Sequence, residues 1–181
     1  MKNHNIDEIL ITEAEIRQRN RALVEEISRN YKGDGLVLIG ILRGSFIFLA
    51  DLVRQLFRQE IHPRIDFMTM ESYVGTESSG QVRIAKEFSV DVAGAEVIVI
   101  DDILDTGRTL KTADQFVMSK GAKSVQTCVL LDKPERRAVE YHSDYVGFAI
   151  ENNFVVGYGL DYEGLYRELP YIARIKFQDQ S

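Results

Sequence analysis

The run Leu36-Val37-Leu38-Ile39-Gly40-Ile41-Leu42 constrains this chain most. It is too short for an amphipathic helix and too continuously apolar for a strand with one wet face. It reads as a strand buried on both faces, the pattern of a parallel sheet covered by helices. Further strands are expected at 65–70, 96–100, 125–131 and 145–150. Between them, a helix from 46 to 57 buries Leu49, Leu52, Val53 and Leu56, and another from 109 to about 119 ends at Gly121. Near the start, Thr12-Glu13-Ala14-Glu15 forms a capping box, and Ile16, Leu23, Val24, Ile27 and Tyr31 follow at helical spacing until Lys32-Gly33-Asp34-Gly35 stops the helix. The alternation predicts an α/β fold with a mostly parallel sheet flanked by helices. The polar, glycine-rich stretch 71–91 interrupts it and reads as a mobile lid or a surface hairpin.

At 181 residues, 45% hydrophobic, the chain is the size of one domain, taken as 1–181. With 22 basic and 28 acidic side chains its net charge is −6, which opposes non-specific attraction to nucleic acid or an anionic membrane. An anionic ligand must then be captured locally. The one cysteine, Cys128, lies in an apolar run and reads as a small core residue of a reduced, cytoplasmic protein. His4, His62 and His142 show none of the close spacings of a structural zinc site. No apolar stretch approaches the roughly 20 residues that span a bilayer, and the polar start lacks a secretory signal.

The chemistry concentrates in Val97-Ile98-Val99-Ile100-Asp101-Asp102-Ile103-Leu104-Asp105-Thr106-Gly107-Arg108-Thr109. A buried strand running into adjacent carboxylates puts them at the strand-end crevice where open α/β sheets bind ligands. Two neighbouring, half-buried acids need compensation, which sugar hydroxyls or a hard cation such as magnesium can supply. Thr106, Gly107 and Thr109 follow at a turn opening a helix, where amides and the positive helix end can cradle phosphate. Taken alone, Thr-Gly-X-Thr is an ordinary helix cap, and Asp105 could serve as one too.

This segment resembles the 5-phosphoribosyl-1-pyrophosphate signature of type I phosphoribosyltransferases. Leu42-Arg43-Gly44-Ser45 is similar to the pyrophosphate loop of that family, Ser72-Tyr73 to its mobile-lid motif, and Asp132-Lys133-Pro134 with 154–162 to its 6-oxopurine site. The likeness, over roughly 36–170, is to hypoxanthine (guanine) phosphoribosyltransferases. It implies the type I phosphoribosyltransferase fold: a core over about 36–150, a small hood built from the N-terminal segment and about 151–181, and a mobile lid loop.

The resemblance further implies a role for each residue. Asp101 and Asp102 sit by the ribose hydroxyls, and Asp105, Thr106, Gly107, Arg108 and Thr109 bind the 5-phosphate, with Asp105 also the acid-base group at purine N7. Leu42, Arg43, Gly44 and Arg167 bind pyrophosphate, with a cis peptide at Leu42-Arg43. Lys133 meets the purine O6, Phe154 stacks on the ring, and Val155 and Asp161 complete the purine site. Mg2+ is the implied cofactor, near Asp161, Asp101 and Asp102. Small-molecule substrates and a homodimer or homotetramer are implied, with no nucleic acid and no membrane. Without the resemblance, Lys133 reads as a loop residue, Phe154 as core, and Arg167 as a surface partner of Glu163 or Glu168.

Many relatives have glutamate at Asp101, and some have lysine at Asn153. RNA-binding regulators of pyrimidine genes share the signature, but their position 105 is typically not aspartate, and the acidic charge leaves no RNA footprint.

Overall fold

The alternation of apolar runs and helices folds into two sheets in a computed structural model that describes residues 4–74 and 79–177. Strands β1 (His4–Ile11), β2 (Leu36–Leu42), β3 (Arg64–Val74), β4 (Ser79–Lys86), β5 (Glu96–Leu104), β6 (Ser124–Asp132), β7 (Tyr145–Ala149), β8 (Val155–Val156) and β9 (Ile172–Phe177) alternate with helices α1 (Glu13–Asn30), α2 (Phe46–Phe57) and α3 (Arg108–Ser119). The larger sheet has the order β4-β3-β2-β5-β6-β7, parallel throughout except for antiparallel β4. A smaller antiparallel sheet, β1-β9-β8, is built from segments near the two ends of the chain.

Burial on both faces follows from the side-chain alternation of a strand. On β2, Leu36 and Leu38 join the core beneath α1 and α2, whereas Val37, Ile39 and Ile41 join the core beneath α3. On β5, Ile98 and Ile100 face the first core, and Val97 and Val99 the second. Cys128 is fully buried among the first set, and burial pushes its thiol pKa up, as fits an inert core residue.

Thr12 caps α1 as expected: its hydroxyl accepts from the Glu15 amide at 3.3 Å, and the Glu15 carboxylate accepts from the Thr12 amide at 2.8 Å. The predicted apolar faces of α1 and α2 are buried, with Val53 partly so. The strand expected at 96–100 runs on to Leu104. The expected 145–150 strand ends at Ala149. The stretch 71–91 contributes the end of β3, all of β4 and a return to β5; Ser72 pairs with Val82 and Tyr73 with Gln81, while 75–78 lie outside the described residues.

Two polar devices hold these layers in place. The Tyr158 hydroxyl donates to Asp51 on α2 at 2.5 Å and accepts from Asn20 on α1 at 2.8 Å, tying the turn after β8 to both helices. On β3, Asp66 accepts from the amides of Phe67 at 2.7 Å, Ser89 at 2.6 Å and Val90 at 2.8 Å, and from the Ser89 hydroxyl at 2.9 Å. Burial alone would raise its pKa, but these donors outweigh it and hold the carboxyl at about 2.

Asp66→Ala is expected to cost about 1–2 kcal/mol, a screened rim value for lost charge-assisted bonds. The stabilisation from Asp66 is complete above its ordinary value of 3.8 and disappears as pH falls towards about 2. Denaturant melts of parent and variant at pH 7 and pH 2.5 check both, with the difference shrinking in acid.

Candidate active site

β5 does not stop before its acids. Its ladder with β6 continues through Asp101↔Val129, Ile103↔Leu131 and Leu104↔Asp132, because the neighbouring strand supplies partners that a single sequence does not reveal. Asp101 is 6% exposed and Asp102 is half-buried, and an Asp101 carboxylate oxygen accepts from the Asp102 amide at 3.0 Å. Burial raises the pKa of Asp101 well above the ordinary carboxylate value, and the charge of Asp102 pushes it the same way. Burial raises Asp102 as well, opposed in part by the Arg167 guanidinium.

After Leu104 the chain turns through Asp105, Thr106 and Gly107 into α3. Gly107, at φ +84°, occupies the helix N-cap and offers no side chain to cap it. The first helical bond runs from the Lys111 amide to the Gly107 carbonyl at 3.0 Å. The amides of the preceding turn have no place within the helical ladder, which makes this end a site for an anion. Arg108 N reaches the Thr106 hydroxyl at 3.5 Å. Asp105 is not the cap: its carboxylate pairs with Arg136 Nε at 3.0 Å, because the glycine rather than the aspartate sits at the cap position.

Across the cleft, the Leu42-Arg43 peptide is cis. Two glycines allow a close approach here: a Cβ on Gly44 would lie 1.6 Å from an Asp102 carboxylate oxygen, and one on Gly159 would lie 2.1 Å from the Gly44 carbonyl. Gly159 also holds φ +104°, a conformation that L side chains avoid. The turn that carries Gly159 brings in Asp161, whose carboxylate accepts from the Gly164 amide at 2.8 Å and pairs with Arg167 at 2.6 Å. Arg167 also donates to the Gly159 carbonyl at 2.6 Å. Asp161 is thus an acidic partner of Arg167, because the turn folds Arg167 back over residues 159–161.

These elements enclose a cleft of about 400 Å³ that brings together Leu42, Arg43, Gly44, Asp101, Asp102, Asp105, Thr106, Gly107, Thr109, Asp161 and Arg167. Arg108, Lys133, Phe154 and Val155 are not part of its lining. Lys133 is joined to it through the backbone, its amide donating to the Leu104 carbonyl at 3.0 Å. The Lys133 ammonium, only 8% exposed as a residue, donates to the Asn153 carbonyl at 2.6 Å, and burial lowers its pKa. Phe154 is 45% exposed and meets Tyr162 edge to face at 5.4 Å, while Val155 is buried in β8. Two residues without a motif of their own also belong to the site: Glu71 of β3 lines the cleft, and Arg136 pairs with Asp105.

The donors suit magnesium. Asp101, Asp102 and Asp161 offer only oxygen to the same cleft, while the described residues contain no group of three or more His, Cys, Asp or Glu side chains able to hold a metal ion. A hard cation that takes one or two carboxylates and completes its shell with water and substrate oxygens fits such a donor set.

The phosphoribosyl transferase domain family matches residues 5–163, and the chain belongs to that family. Within it, the chain is 44% identical over 172 residues to a hypoxanthine-guanine phosphoribosyltransferase of Lactococcus lactis, covering 94% of this chain and 92% of that protein. A hypoxanthine-guanine phosphoribosyltransferase of Staphylococcus aureus is 42% identical, with 96% of each chain covered. Among solved structures, a hypoxanthine-guanine phosphoribosyltransferase from Bacillus anthracis superposes with TM-score 0.88 at 38% identity, covering 96% of this chain and 99% of that one. The hypoxanthine phosphoribosyltransferase of Trypanosoma cruzi in complex with the product IMP gives TM-score 0.89 at 40% identity, covering 94% and 95%.

Two outcomes follow from the packing and the buried charge. Gly159→Ala is expected to cost about 3 kcal/mol or more, because both the backbone angle and the Gly44 carbonyl resist a methyl group; chemical denaturation measures it. A carboxyl with a raised folded-state pKa stabilises below its ordinary value of 3.8 and loses that contribution as pH rises through the folded value. Asp101→Asn therefore raises the melting temperature of the ligand-free protein at pH 7, by about 2–4 °C per ~1 kcal/mol relieved. Calorimetry that finds the variant less stable contradicts this.

Proposed function

We propose that this chain transfers the 5-phosphoribosyl group from 5-phosphoribosyl-1-pyrophosphate to N9 of hypoxanthine, and of guanine, giving IMP or GMP and pyrophosphate in purine salvage. The observation that carries the reading is the single cleft in which Asp101, Asp102, Asp105, the α3 N-terminus, the Leu42-Gly44 loop and Arg167 converge.

Asp101 and Asp102 accept hydrogen bonds from the ribose hydroxyls, which offsets the burial of their charge. The amides and hydroxyls of Thr106 to Thr109 hold the 5-phosphate at the helix end. Arg167 and the Leu42-Arg43-Gly44 loop hold the pyrophosphate, and the Asp161 carboxylate keeps Arg167 oriented. Asp161, or Asp101 and Asp102, would offer Mg2+ one or two carboxylates, and the ion when bound neutralises charge on the leaving pyrophosphate. Lys133 donates to O6, distinguishing a 6-oxopurine from adenine, while Phe154 and Val155 border the base. N9 attacks the anomeric carbon as the bond to pyrophosphate breaks, and positive charge grows on the sugar. Asp105 takes the N7 proton, having first released Arg136. The hairpin of β3 and β4, with Ser72 and Tyr73 near its tip, is the lid that excludes water.

Small molecules, rather than nucleic acid or membrane, are its partners. Among the described residues no helix is long and apolar enough to cross a membrane, and the reading extends to a cytoplasmic enzyme. Assembly as a homodimer or homotetramer is part of the same reading; a Trypanosoma cruzi relative at TM-score 0.90 is described by the role of its C-terminal region in oligomeric state and activity.

A spectrophotometric assay with hypoxanthine, guanine and xanthine, each with the sugar pyrophosphate and magnesium, tests the activity; turnover of none rejects it. Asp105→Asn keeps the shape but removes the base, and turnover should fall about 100-fold or more while calorimetric binding of the sugar pyrophosphate persists. Undiminished turnover in that variant removes Asp105 from the mechanism.

A further inference from the structure

The two groups assigned to the purine hang from irregular backbone. Asp101 and Asp102 are fixed by the β5–β6 ladder, and the phosphate-binding amides belong to α3. Asp105 lies between those elements, and Lys133 lies just beyond β6, before a short 3₁₀ turn at Pro134–Arg136. Ladder pairing ends at Leu104↔Asp132, immediately before both.

One side chain spans this gap. The Arg137 Nη1 donates to the carbonyls of Leu104 at 2.8 Å, Asp105 at 2.6 Å and Lys133 at 3.1 Å. Its Nε donates to the Tyr141 carbonyl at 3.1 Å, and its Nη2 pairs with the Asp132 carboxylate. The Arg137 side chain is 16% exposed and that of Asp132 is 17% exposed, so the pair sits largely out of water. The residues after Arg137 reinforce the seam, with the amides of Ala138 and Val139 donating to the Thr106 carbonyl at 3.0 and 3.3 Å. We propose that Arg137 is a positioning residue: its guanidinium fixes the carbonyls on either side of Asp105 together with the carbonyl of Lys133, and so sets the spacing between the N7 base and the O6 donor.

The chemistry selects arginine. A planar guanidinium presents five donors in a fixed fork, and here it uses all three nitrogens against separate segments of the chain. Lysine would preserve the charge opposite Asp132, but it offers donors from a single atom and cannot reach the three directions together. The proposal rests on the functional reading above, since it presumes that Asp105 and Lys133 meet the same base.

The test is Arg137→Lys, with Arg137→Gln beside it, in the full chain. For the lysine variant the KM for hypoxanthine is expected to rise at least tenfold and kcat to fall at least tenfold. The calorimetric Kd for the sugar pyrophosphate with magnesium should stay within threefold of the parent. Parent-like KM and kcat for the base overturn the proposal. So does a parallel loss of sugar-pyrophosphate affinity and thermal stability, or failure of both variants to fold, since each makes Arg137 a general structural residue. Failure of the unaltered protein to use any of the three bases instead rejects the functional reading, and the parent assay separates the two.

Discussion

Two carboxylates side by side at the buried end of a parallel strand oppose the fold that holds them, because burial strips water from Asp101 and the two charges repel. The rest of the cleft is arranged around that cost. The strand ladder continues past both acids to Leu104, so their backbone has no freedom to carry the carboxyls out to solvent. Gly44 has no side chain because the Asp102 carboxylate fills that space, and Gly159 has none because the Gly44 carbonyl does. A ligand with hydroxyl donors would offset the electrostatic penalty that the ligand-free protein bears.

This arrangement separates the kinds of chemistry by the kind of structure that supports them. Fixed anionic groups sit in the paired strand. Main-chain donors sit at the start of α3, where Gly107 ends the turn without a competing side chain. The groups that would act on the base occupy the irregular joints just beyond β5 and β6. The opposite wall comes from the turns around Gly159, with Asp161 and Arg167 paired at 2.6 Å. Because Tyr158 reaches both Asp51 and Asn20, that wall is anchored to the helices that cover the sheet.

Much of this was readable from residues alone, for identifiable reasons. Unbroken apolar runs such as 36–42 declare burial on both faces, and the capping box at Thr12 and Glu15 declares a helix start whatever the tertiary setting. The aspartates of the β5 segment were legible because such a cluster beside an apolar strand is costly without a ligand. The strands of the smaller sheet were not. His4–Ile11 is half polar, Val155–Val156 is only a pair, and each becomes a strand through partners remote in the chain. The same holds for the last four residues of β5, whose ladder depends on β6. Arg136 and Arg137 carried no signal of their own, because a basic pair after a strand is ordinarily a solvated turn; only the folded chain sets one against Asp105 and the other against four carbonyls.

The pairing of β1 with β9 joins parts of the chain that lie far apart, and Arg174 bonds to Asp7 across a separation of 167 residues. Closing so long a loop comes late, after local contacts have formed. Asp161 and Arg167 lie between β8 and β9, so their wall of the cleft is finished by that closure. During synthesis the six-stranded sheet can assemble before β9 has been made, and this wall of the cleft is finished only when β9 pairs with β1.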